Sequence, residues 1–149
     1  MLRVTKLTDY ASVVLTVLAS DPVAVLSATE LAERAGLEAP TVAKVLKPLA
    51  QARLVEGFRG ANGGYRLARA ATDISLVEIV EAMEGPLGMT ECSVHEGHCG
   101  IEESCGVRAN WRRINDVVAD ALRGVSLAQM LAPAPSSPRK GIPVQLANA

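Results

Sequence analysis

Between residues 27 and 67 the chain is punctuated so closely that few folds remain open to it. Ser27-Ala-Thr-Glu30 has the spacing of a capping box, in which the Ser hydroxyl and the Glu carboxylate satisfy each other's free backbone N–H groups. The helix it opens runs to Ala35 and meets Gly36, a residue suited to a left-handed cap. Pro40 begins a second helix, with Val42, Val45, Leu46 and Leu49 facing inward and Thr41, Lys44 and Lys47 elsewhere. Pro48 predicts a kink or an early end at about the second turn. The β-prone runs Leu54–Arg59 and Tyr65–Leu67 then flank Gly60-Ala-Asn-Gly-Gly64, the pattern of a hairpin.

Two helices around a Gly-containing turn would suit a plain helical hairpin as well as a helix-turn-helix. The glycine-tipped hairpin that follows favours a winged helix-turn-helix. In that arrangement the first turns of the second helix reach base edges in a major groove. Glu38, Thr41 and Lys44 are the residues expected there, and Arg59, Asn62 and Arg66 are expected at the wing, where the arginines meet phosphates. Glu38 is suited to reading a cytosine amine. Charge agrees: residues 1–70 hold nine Lys and Arg against six Asp and Glu, and residues 71–131 hold four against ten. A basic N-terminal half permits a polyanionic partner.

The remaining elements are helical. Leu7, Tyr10, Ala11, Val14, Leu15 and Leu18 form an apolar stripe, widened by Val13 and Val17, which Thr5 or Thr8 would cap and Asp21-Pro22 would end. Asp9 falls in its first turn. Ser75-Leu-Val-Glu78 is a second capping box, opening a helix with Ile79, Val80 and Met83 that ends at Gly85-Pro86. Val107, Trp111, Ile114, Val118 and Ala121 follow steps of four, three, four and three, a heptad seam broadened by Val117 and Leu122. Such a seam serves a homodimer interface or packs on its own domain. Ser126 with Gln129 caps a last short helix, Leu127–Leu131. With one Phe, one Trp and two Tyr the core must be aliphatic.

The expected fold is therefore mostly α with a small β-hairpin. Residues 1–86 form a winged-helix DNA-binding domain and 87–106 a cysteine loop. Residues 107–131 form a dimerisation helix with a short terminal helix, and 132–149 a Pro-rich disordered tail. No apolar run approaches a membrane span, and Met1–Lys6 does not begin a secretory signal. A cytoplasmic protein with no membrane partner is expected, in which thiols stay reduced.

All three cysteines lie in Cys92–Cys105, spaced C-x6-C and C-x5-C. Neither spacing is the C-x2-C of most zinc sites, and long separations suit an iron–sulfur cluster. Three thiolates leave a four-cysteine set incomplete, so one further ligand is needed. Glu91, His95, Glu96, His98, Glu102 and Glu103 lie near, and Asp9 lies far away in sequence. His95 and His98 also fit plain exposed loop positions. A thiol redox or cluster-carrier protein would use the same cysteines. However, no C-x2-C pair, nucleotide loop or acid–base constellation accompanies them, and no enzyme or catalytic residue is expected.

The whole pattern resembles the winged-helix iron–sulfur transcription regulators that include IscR and NsrR. The resemblance rests on Leu7-Thr-Asp-Tyr-Ala11, on Arg59-Gly-Ala-Asn-Gly-Gly-Tyr65, on Cys92, Cys99 and Cys105, and on Trp111 six residues beyond the last Cys. It spans about residues 1–131, and the opening residues are most similar to the branch that regulates SUF iron–sulfur assembly operons. The resemblance implies a double-stranded DNA operator, a homodimer and a cluster on the three Cys. The Isc branch has a His three residues after the third Cys. Here Arg108 stands there, and Arg stays protonated and is no ligand. Asp9 matches the Asp of the nitric-oxide-sensing branch, supplied by the partner subunit to a 4Fe–4S cluster. The implied set is Cys92, Cys99, Cys105 and Asp9 of the partner subunit, with 4Fe–4S favoured over 2Fe–2S. A nitric-oxide- or oxidative-stress-sensing repressor of the same fold is the alternative function.

Overall fold

The computed structural model describes residues 3–94 and 99–133. Their elements in chain order are α1 Lys6–Ser20, α2 Ala28–Ala35, α3 Ala39–Gln51, β1 Val55–Phe58, β2 Gly64–Leu67, α4 Leu76–Glu84, α5 Glu91–Val94, α6 Arg108–Arg123 and α7 Leu127–Leu131. Helix α1 is the central post. Ala11, Val14, Leu15 and Leu18 are buried on it, and it packs against α2, α3, α4, α7 and β2. Of the two candidate caps, Thr5 is the one used: its hydroxyl accepts the Thr8 N–H at 3.3 Å.

The signals around α2 hold in detail. Glu30 accepts the Ser27 N–H at 2.8 Å, and Ser27 Oγ accepts the Glu30 N–H at 3.2 Å. Gly36 has φ 65°. There the Leu37 N–H bonds to the Ala32 carbonyl at 2.9 Å and the Gly36 N–H to Glu33 at 3.3 Å, closing a Schellman motif. The same motif ends α3. Leu54 N–H bonds to Leu49 O at 2.9 Å and Arg53 N–H to Ala50 O at 3.1 Å, but the left-handed residue is Arg53, with φ 58°.

Pro48 corrects one half of the sequence expectation, the early end. Helix α3 neither ends nor shortens at it and continues to Gln51. An interior Pro costs about 3 kcal/mol. Val45, Leu46 and Leu49 flank it and are buried in the core, each contributing about 1.5–3 kcal/mol, which outweighs that cost.

The hairpin pairs Val55 with Leu67, Glu56 with Arg66, Gly57 with Tyr65 and Phe58 with Gly64. It is tied to the helices by Leu26, which bridges Tyr65 through N–H to O bonds of 3.0 and 2.7 Å. Gly64 makes that approach possible, because a Cβ there would collide with the Leu26 carbonyl. A second bridge joins Ser75 to Ser126, so the starts of α4 and α7 are held together and Leu127 is fully buried. No helix among the described residues is long and apolar enough to cross a membrane.

On α6 the apolar seam is uncovered within the chain: Val107, Trp111, Ile114 and Val117 are 53, 37, 42 and 63% exposed. The expected seam member Val118 and its neighbour Val117 differ in exposure. Val118 is half-buried and Val117 is exposed.

Candidate DNA interface and cysteine arm

The turn between α2 and α3 exposes Glu38, which stands at the N-cap of α3 without a side-chain capping bond. Lys44 and Lys47 are exposed and Thr41 is half-buried, spaced at three residues so that they share one side of α3. The opposite side is buried through Val42, Val45, Leu46 and Leu49. At the wing, Arg59 and Asn62 are exposed beside the tip, where the Gly63 N–H bonds to Gly60 O at 3.0 Å. The sequence-derived interface residues thus fall on two exposed segments, the start of α3 and the wing.

Arg66 is different. Its Nε and Nη2 donate to Glu56 Oε1 at 3.1 and 2.5 Å, and its guanidinium lies 5.0 Å from the centre of the Phe58 ring. Glu56 is its cross-strand partner, and Phe58 lies two residues along the same face of β1. The period-two alternation of Val55–Phe58 contained this signal, because it puts Glu56 and Phe58 on one face.

The cysteine arm begins where α4 ends. Thr8 Oγ1 donates to Glu84 Oε1 at 2.5 Å, and the Thr5 N–H donates to the same oxygen at 2.7 Å. These bonds hold the Glu84 carboxyl below the usual carboxylate range, the Thr8 hydroxyl contributing most. Sequence reasoning missed this contact, which has no local signature. Further on, the Met89 N–H donates to Oδ1 of Asn115, a buried polar residue of α6, at 3.2 Å. Thr90 Oγ1 lies 3.2 Å from Cys92 Sγ and 2.8 Å from Ser93 Oγ.

Cys92, Cys99 and Cys105 are free and half-buried. Among the described residues no three His, Cys, Asp or Glu are gathered as a ligand set. By donor chemistry the arm nevertheless fits an iron–sulfur cluster: three soft thiols, unpaired in disulfides, lie on one segment docked to α6. Asp9 is exposed in the first turn of α1 rather than packed inside its own chain. Arg108 is the first residue of α6 and is half-buried. His95, Glu96, His98 and the tail 134–149 lie outside the described residues.

Comparison with known proteins agrees with the winged helix-turn-helix. The chain is 34% identical over 131 residues to "Protein aau3" of Rhizobium meliloti (strain 1021), covering 87% of this chain and 85% of that protein. Its structure is similar to CymR, the global cysteine regulator of B. subtilis, with TM-score 0.68 and 27% identity over 88% of this chain and 97% of the other. It is also similar to T. potens IscR, with TM-score 0.63 and 26% identity over 99% of this chain and 94% of the other. Residues 4–133 match the family described as "Rrf2: Iron-dependent Transcriptional regulator". With that match across its winged helix-turn-helix and its cysteine arm, the chain belongs to the Rrf2 family of transcriptional regulators.

Proposed function

We propose that this regulator is a homodimer that binds an operator in double-stranded DNA, reports iron–sulfur cluster status and controls genes of the SUF assembly system. The observation that carries this reading is the place of the cysteine arm. The arm is fixed to α6 through Met89 and Asn115, while Val107, Trp111, Ile114 and Val117 on an adjoining face stay uncovered. A second copy laid on that face would cover the seam. It would also bring each arm close to the other chain, where Asp9 is exposed.

In this reading Thr41 and Lys44 face the major groove with Glu38 at the groove edge, and Arg59 and Asn62 anchor the wing, with Arg66 as a further wing cation. Two recognition helices read successive grooves only when about 34 Å apart. Cys92, Cys99 and Cys105, with Asp9 of the partner subunit, would hold a 4Fe–4S cluster. The chemistry it supplies is reversible oxidation and loss. Helix α1 carries Asp9 and packs directly on α3, so a constraint on Asp9 is felt at the recognition helix. Such a constraint regulates only if the two states differ in DNA affinity. The SUF assignment draws on the resemblance of the opening residues Met1–Ala11 to that branch.

Anaerobic purification with absorption and Mössbauer spectra tests the cluster, and a zinc-loaded or metal-free protein sinks it. Comparing DNA binding by holo and apo protein tests the switch, and equal affinities sink it. Lys44→Ala and Arg59→Ala are expected to weaken operator binding with the fold unchanged. A nitric-oxide- or oxidative-stress-sensing repressor is the second reading. Asp9 favours it, because a carboxylate-bound iron is open to small molecules. It requires DNA release on exposure to nitric oxide or peroxide at constant iron supply.

A further inference from the structure

The wing carries its own competitor for DNA phosphate. Glu56 and Arg66 face each other across the hairpin, and both hydrogen bonds of the guanidinium go to a single carboxylate oxygen, at 3.1 and 2.5 Å. The Phe58 ring lies 5.0 Å away, so carboxylate and ring together hold the cation along the outer face of the strands. Arg59, one residue beyond Phe58, and Asn62 stand exposed at the tip. The pair is itself accessible, with side-chain exposures of 38% for Arg66 and 43% for Glu56. An ion pair this open to water is weak and exchangeable. A DNA phosphate can present two oxygens to the guanidinium fork, where Glu56 presents one. The two acceptors therefore compete for one guanidinium.

We infer that Glu56 attenuates DNA binding by holding Arg66 against Phe58, so that Arg66 reaches phosphate only by leaving Glu56. This rests on the wing contacting DNA as described above. Neutralising Glu56 without changing its shape frees the cation. The Arg stays within reach of the backbone because the Phe58 ring still supports it. The wing then gains a phosphate contact that the native protein makes only in competition. Affinity and salt dependence rise together, since each neutralised phosphate releases counterions.

The test is a double-mutant cycle on a duplex enriched from a random-sequence pool by repeated binding to the native protein. Native, Glu56→Gln, Arg66→Gln and the double variant are titrated across salt concentrations, with Arg59→Ala as the control for the wing. Circular dichroism checks that each variant keeps the native helix content. Glu56→Gln is expected to tighten binding about two- to fivefold, the range set by releasing an exposed ion pair. The slope of log K against log salt is expected to steepen by about one. Both effects are expected to vanish when Arg66 is already Gln. Equal tightening with and without Arg66 overturns the inference, because Glu56 is then only a like charge near phosphate. No change on Glu56→Gln, with binding weakened by Arg59→Ala, overturns the inference and leaves the wing reading standing. No change in either variant overturns both.

Discussion

Thr8 donates its hydroxyl to Glu84 at 2.5 Å and so joins the first turn of α1 to the last residue of α4, 76 residues apart in sequence. A carboxylate at a helix C-terminus is unfavourable against the macrodipole by about 0.3–1 kcal/mol. Two bonds from α1, the Thr8 hydroxyl and the Thr5 N–H, offset that cost. Glu84 therefore acts as a distant cap of α1 and fixes where the cysteine arm departs. Glu84→Ala is expected to destabilise the fold by about 1–2 kcal/mol, the loss of two charge-assisted bonds at an exposed site. That corresponds to a fall of about 3–6 °C in melting temperature. An unchanged thermal transition would show that the contact contributes nothing.

Acid sensitivity follows from the same kind of contact. Glu84 is held below the ordinary 4.5 by Thr8 and Thr5, and Glu30 by the Ser27 N–H and hydroxyl. At Glu78 partial burial pulls upward, but the Ser75 N–H, Arg69 and the Ser75 hydroxyl together lower it. A depressed folded pKa means that the unfolded chain binds protons first as pH falls. The stability from these three carboxylates is complete above 4.5 and is lost as pH falls through their lower folded values. Urea midpoints measured from neutral to acid pH should decline in that window, and Glu84→Gln should flatten the decline. A midpoint independent of pH there would contradict this account.

Arg53 holds a conformation that suits glycine. Its φ of 58° matches the 65° of Gly36, and both sit at the left-handed position of a Schellman motif. For a residue with a Cβ the left-handed region costs about 1–2 kcal/mol, partly offset by the entropy glycine loses on folding. Arg53→Gly is therefore expected to stabilise the protein by about 0.5–1 kcal/mol, while Gly36→Ala destabilises it by about 1 kcal/mol. Denaturant unfolding reads both, and a shift of the same sign in the two variants would be inconsistent with the backbone argument.

The uncovered face of α6 makes a separate forecast. Ile114 and Val117 are 42 and 63% exposed, so charged substitutions there barely disturb the isolated chain, within about 0.5 kcal/mol. Ile114→Glu with Val117→Glu is expected to convert a dimer to a monomer in sedimentation equilibrium and to weaken operator binding in parallel. A dimer that survives both changes places the interface elsewhere.

The starts and stops of the helices were legible because their chemistry is local. Ser27 with Glu30, Gly36, Pro40, Ser75 with Glu78, and Ser126 with Gln129 each settle a boundary within about four residues. The wing was legible in the same way, from glycines that only a tight turn requires, and three clustered thiols marked the arm.

Contacts between distant segments leave no such periodicity, and these the tertiary structure alone decided. Pro48 stays inside α3 because its neighbours are buried in a core built from other helices. Val118 turns partly inward because α6 lies against α4 and α5, while Val117 is left to solvent. Arg66 faces Glu56 because the hairpin register sets them opposite, and Glu84 meets Thr8 because α1 and α4 pack together. The sequence by itself determined the elements and the chemistry they carry. Packing decided which of those side chains are already engaged, because burial and long-range hydrogen bonds are properties of the assembled chain.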